Sequence, residues 1–204
     1  MNDLHKALAD IGSIRLQLAS GTMFRGFGPQ VVAATGLLAL AMVAAQVAWL
    51  GTSDPVVLLG WWIGLAVVST VLIGLEMVAR TRRHHGGLGD AMLFHAVEHF
   101  CPVGVAGAVI GAIVLRCAPE TAWMLPGLWQ ILVGLGLFAA IRFLPRTVAI
   151  AGAWYFAAGS VVLVLDSQTH ALSPLTMGLP FVIGQLLLAT ILRVALGEDD
   201  AQAL

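Results

Sequence analysis

Six runs of mostly apolar residues, each about twenty long, are separated by short stretches that carry the charges, and this alternation limits what the chain can become. The runs cover residues 29–50, 56–79, 91–115, 122–143, 147–165 and 175–196. A helix needs about 20 apolar residues to cross the ~30 Å hydrocarbon core of a bilayer. No water is present there to bond backbone groups, so each run is expected to be helical. Only 10% of the residues are charged, against roughly 25% in soluble domains. So few charges could not cover a water-soluble surface. The expected fold is all-α, a polytopic membrane protein with a six-transmembrane-helix bundle.

Lysine and arginine set the expected orientation. With the N-terminus inside, the inner segments hold Lys6, Arg15, Arg25, Arg80, Arg82, Arg83, Arg142, Arg146 and Arg193, and the outer ones hold only Arg116. That asymmetry is a positive-inside bias and places both termini in the cytoplasm. Trp49, Trp61, Trp62, Trp123 and Trp129 fall in the outer half, as an aromatic interface belt would. The first apolar run begins near Pro29 after a polar segment and is too long for a cleaved signal, so none is expected. A net charge of −1 gives no basis for nucleic-acid binding.

Three regions follow. Residues 1–28 are an amphipathic surface helix and entry loop, 29–196 the bundle, and 197–204 a short acidic tail. Within residues 2–20, Leu4, Ala7, Leu8, Ile11, Ile14 and Leu18 recur at helical spacing, while Asp3, Lys6, Asp10 and Arg15 occupy other faces. Such a helix lies on the inner membrane surface. It could also dock a cytosolic or membrane protein partner, or a second copy of the chain.

Packing signals are visible. Gly60–Gly64 in "GWWIG" and Gly107–Gly111 in "GAVIG" have the small-xxx-small spacing that lets helices approach. Pro102 and Pro180 fall inside spans, where each should kink the helix or free a carbonyl. "FGP", "FCP" and "FLP" open outgoing spans, and Gly60, Gly127 and Gly178 follow near the start of returning ones. This pattern suggests three hairpins of like design. Cys101 and Cys117 share one expected helix. Sixteen residues at about 1.5 Å each separate them by roughly 24 Å, too far for a disulfide.

The chemistry-bearing residues form two sets. In "DAMLFHAVEHFCP" His95, Glu98 and His99 have the spacing of one helix face. Glu76 comes at a similar depth on the preceding span. Glu76, His95, Glu98 and His99 would thus form one inner-leaflet layer. Imidazole and carboxylate together can bind a divalent metal or relay protons. The same groups can instead pair with Arg80, Arg82 or Arg83 at the interface. "HAVEH" has the letters of an H-x-x-E-H peptidase motif, but the segment lacks further ligands and an open cleft. Haem axial histidines normally come from different helices, and these share one. Asp166 and His170 form the second set, at the outer end of the fifth span, as a helix-end cap or a ligand mouth. About 20 Å of membrane separates the two sets.

Gln46, Ser69, Thr70, Gln130, Ser160, Gln185 and Thr190 are the polar groups at depth, and none is charged. No phosphate loop, nucleotide fingerprint or nucleophile triad is present. No cofactor is expected, the inner layer being the one candidate for a divalent metal.

"LPGLWQILVGLGLFAAIRFLPR" (residues 125–146), "AWYFAAG" (153–159) and "FRGFGP" (24–29) resemble a family of short bacterial six-span inner-membrane proteins of undefined activity. The resemblance implies a bacterial inner-membrane location and brings no activity or site residues. Three function classes stay open: a non-enzymatic regulatory, sensory or accessory component, a small transporter or channel for a small neutral or apolar solute, and a metal- or haem-binding membrane redox protein. The absence of a catalytic motif leans away from an enzyme.

Overall fold

The computed structural model describes residues 28–50, 54–84, 89–141 and 144–202, with the side chains at 50, 80–84, 89–100 and 196–202 left out of the description. The amphipathic segment 2–20 lies outside the described residues. What is described is helical, with no strand. We number the helices α1 (Pro29–Ala45), α2 (Pro55–His84), α3 (Gly89–Cys117), α4 (Leu125–Ala140), α5 (Val148–Thr169) and α6 (Pro174–Gln202). Among the described residues, five helical stretches are long and apolar enough to cross a membrane: Pro29–Trp49, Pro55–Ala79, Pro119–Ala140, where a 3-10 turn (Pro119–Met124) leads into α4, Val148–Thr169 and Pro174–Ala195.

Local chemistry explains the helix starts. Proline stands at the first helical position of α1, α2 and α6, where its missing N–H is not needed. Asp54 caps α2, its Oδ1 accepting from the Val56 N–H at 2.9 Å. Three boundaries differ from expectation. α2 runs on through the basic stretch to His84, so residues 80–84 are helix rather than loop. α5 continues past Leu165 to Thr169, which puts Asp166 inside a helix. α6 reaches Gln202, making most of the expected acidic tail helical. In each case nothing local stops the helix, and polar side chains do not end one by themselves.

The C-terminal end of α1 widens into a π-turn over Gln46–Leu50. The Gln46 N–H there reaches both the Met42 and Val43 carbonyls.

α4 and α5 form the tightest pair, with a seam of glycines seven residues apart. A methyl on Gly127 would stand 2.7 Å from the Gly159 carbonyl, and one on Gly134 would stand 2.9 Å from that of Gly152. The backbones therefore touch directly, and only glycine fits. α6 lies beside this pair and packs along α1. α2 and α3 close the bundle on the far side, with α3 resting on α4.

Two apolar clusters fill the interior. One joins Leu137, Val148, Ala151, Tyr155, Leu188 and Leu192. The other joins Val43, Leu59, Trp62, Leu125, Met177 and Val182. Outward faces carry exposed apolar side chains such as Val67, Val109, Val161 and Val164. That inversion fits a lipid solvent, in which the outer surface is apolar as well.

Glycine use corrects two expectations. Gly60 and Gly64 face open space, with no atom within 4 Å of an added methyl. Gly107 and Gly111 instead seat the Trp129 indole, at 3.5 and 3.1 Å. The three glycines of the supposed hairpin repeat sit in unlike surroundings. Gly60 is open, Gly127 meets Gly159, and Gly178 faces Val43 and Trp62.

Candidate functional site

Of the inner layer, Glu76 has a described side chain. It sits toward the C-terminal end of α2, and its carboxylate lies against Gly28, so a methyl on Gly28 would overlap it. Gly28 caps α1 with an ordinary extended backbone. Space, not dihedral freedom, requires glycine there. A carboxylate beside a helix N-terminus is favoured by the helix dipole, by about 0.3–1 kcal/mol. His95, Glu98 and His99 lie on α3, and their side chains lie outside the described residues. Among the described residues no three His, Cys, Asp or Glu side chains come together as metal ligands would.

The outer set is well defined. Asp166 is buried in the last turn of α5. Its main-chain carbonyl accepts the His170 N–H at 2.7 Å. His170 is the C-cap, in the left-handed conformation at φ 52°. Its ring meets Trp123 edge-on at 4.9 Å between centroids. The Thr176 hydroxyl lies 3.2 Å from both Asp166 Oδ2 and the Ser173 carbonyl. One proton serves two acceptors, so the carboxylate receives only part of a hydrogen bond.

Along the same helices runs a series of side-chain clamps onto main-chain carbonyls. Pro180 has no N–H, so the Thr176 carbonyl has no helical donor. Gln130 of α4 supplies one, its Nε2 donating to Thr176 O at 3.2 Å. Trp154 Nε1 donates to Pro180 O at 3.0 Å, and the Tyr155 hydroxyl donates to Phe181 O at 3.2 Å. On the other side of α4, Trp129 Nε1 donates to Gly107 O at 3.0 Å. The central hairpin thus grips α3 and α6 through Trp129 and Gln130 from α4 and Trp154 and Tyr155 from α5. By the same proline chemistry, Pro102 withholds a donor from the Glu98 carbonyl.

The tryptophan belt divides accordingly. Trp49 and Trp61 are exposed on the outer surface. Trp62 and Trp129 turn inward, and Trp62 Nε1 donates to Gln46 Oε1 at 2.9 Å. Cys101 and Cys117 are free and exposed.

Among the described residues, four buried polar atoms have no hydrogen-bond partner: Gln46 Nε2, Ser69 Oγ, Gln130 Oε1 and Gln185 Oε1. A buried unsatisfied polar group costs about 1–3 kcal/mol. The sequence shows all four as uncharged polar groups at depth, without indicating which atom of each finds a partner. The signal that could have refined it was Pro180, which sets up a carbonyl for Gln130. No protein-family model, curated protein or solved structure matches the chain.

Proposed function

We propose that this chain is a non-enzymatic component of the bacterial inner membrane, a six-span scaffold with both termini in the cytoplasm and an accessory or regulatory role exerted through residues 2–20. The observation that carries the reading is how the deep polar side chains are used. Trp129, Gln130, Trp154 and Tyr155 each hold a neighbouring helix by its main chain, and a glycine seam locks the hairpin that bears them. Groups engaged in fixed contacts between helices suit a rigid platform better than a reaction centre. The lysine and arginine distribution supports the orientation, and the apolar stripe of residues 2–20 supports a docking role.

The test is affinity purification of the full chain from native membranes, with metal analysis and an absorption spectrum of the same sample. A protein partner that is lost when Leu8 and Ile11 are changed to Glu is the expected result. Stoichiometric metal or a Soret band, abolished by His95→Ala or His99→Ala, would replace this reading with a metal- or haem-binding redox protein.

A further inference from the structure

The four unpartnered polar atoms lie on four different elements that share one interior. Gln46 follows α1, Ser69 is on α2, Gln130 on α4 and Gln185 on α6. All four residues are more than nine-tenths buried, with exposures of 3%, 6%, 4% and 8%. The apolar cluster around Trp62, Leu125 and Met177 is built from these same helices.

Helix register brings the groups to matching levels. Gly36 packs on Gln185, and Val43 packs on Gly178, so α1 and α6 run antiparallel. Gly28 meets Glu76 and Gln46 bonds Trp62, so α1 and α2 are antiparallel too. α2 and α6 are therefore parallel. Trp62 touches Gly178. Ser69 comes seven residues after Trp62, and Gln185 seven after Gly178. Seven residues are nearly two full turns, so each keeps its face and lies about 10 Å deeper. Ser69 and Gln185 thus stand at the same level on α2 and α6, two turns along from the contact between Trp62 and Gly178.

The partners fix what each group offers. An indole N–H only donates, so Gln46 turns its oxygen to Trp62 and leaves Nε2 as a free donor. A carbonyl only accepts, so Gln130 turns Nε2 to Thr176 and leaves Oε1 as an acceptor. The Tyr155 hydroxyl donates to Phe181 O. Gln185, beside that hydroxyl, again keeps an unpartnered amide oxygen. Thr70, Ser160 and Thr190 return their hydroxyls to the carbonyl four residues back. Ser69 does not.

We propose that α1, α2, α4 and α6 enclose a built hydration site, a short file of water joining the Gln46–Gln130 level to the Ser69–Gln185 level. Water both donates and accepts, as one donor, two acceptors and a hydroxyl together require. A buried water typically makes about three hydrogen bonds to groups of this kind. Three or four waters at about 2.8 Å spacing span the ~10 Å between levels. All four groups are uncharged amides or hydroxyls, which suits a neutral occupant. The site is independent of any docking through residues 2–20.

Hydroxyl-radical footprinting by X-ray pulses tests this on the full chain in lipid nanodiscs, with isotopically labelled water as the oxygen source. Radicals form where water is, so dry buried rings do not react. Tyr155, Trp62 and Met177 should be oxidised despite their burial, carrying the water isotope. Gln185→Leu and Ser69→Ala should each suppress the label at Tyr155 severalfold and leave Trp129 unchanged. The proposal is overturned if the wild-type chain shows no label at Tyr155, Trp62 or Met177. It is equally overturned if the label at Tyr155 survives both substitutions. The wild-type measurement decides by itself should either variant misfold.

Discussion

Gln130 and Pro180 act as one unit although fifty residues separate them in the chain. The proline removes a donor from the Thr176 carbonyl, and the glutamine replaces it. Hydrogen bonds between membrane helices average about 0.6 kcal/mol and reach ~2 kcal/mol. Gln130→Leu should therefore destabilise the protein by about 1 kcal/mol, read from reversible unfolding in mixed micelles. In a Pro180→Ala background the helix restores its own N–H, and most of that loss should disappear. Equal losses in both backgrounds would show that the bond contributes nothing. Gly28 makes a second pair, with Glu76. Gly28→Ala should displace the carboxylate and destabilise by about 1–3 kcal/mol, as overpacking does. Glu76→Ala in the same chain should relieve most of this effect in the same unfolding assay.

Helix pairing is decided by where glycine meets backbone, not by how often glycine occurs. Gly134→Ala and Gly159→Ala press a methyl on the facing helix, 2.9 Å from the Gly152 carbonyl and 2.6 Å from that of Gly127. Each should cost about 1–3 kcal/mol. Gly60→Ala and Gly64→Ala meet nothing. They should be neutral or raise stability by up to about 1 kcal/mol through helix propensity. Thermal unfolding of the four variants in one detergent gives the comparison, and a loss at Gly60 as large as at Gly134 would contradict the seam. The expected small-residue contacts were legible as a class. Their assignment was not, because a small-xxx-small stripe reads the same whether it faces a helix, an indole or lipid.

At the level of the whole molecule, orientation rests on the lysine and arginine count. Cysteines introduced by Arg82→Cys and His170→Cys, in a Cys101→Ser and Cys117→Ser background, should label from opposite sides of the membrane with an impermeant maleimide. Arg82→Cys should react only from the cytoplasmic side. Labelling of both from one side would overturn the arrangement. The end of α5 was partly legible: Asp166 and His170 read as a helix end, and of the two His170 is the C-cap while Asp166 lies inside the helix. Thr176, Gln130 and Trp123 were not legible, because they come from other helices and nothing in their local sequence points to Asp166. The expected inner layer rests on helical spacing and depth, and of its members Glu76 has a described side chain, beside Gly28.

The sequence by itself determined helical segments and their apolar surfaces, since a run of twenty apolar residues has no other way to satisfy its backbone in lipid. It also determined that the deep polar groups are uncharged amides, hydroxyls and indoles. Only the tertiary structure decided which glycines are seams, which tryptophans turn inward, and that Gln130 completes what Pro180 leaves open. Apolar periodicity cannot carry that information, because lipid and protein neighbours are equally apolar. The choice between them is made by shape and by single hydrogen bonds between distant parts of the chain.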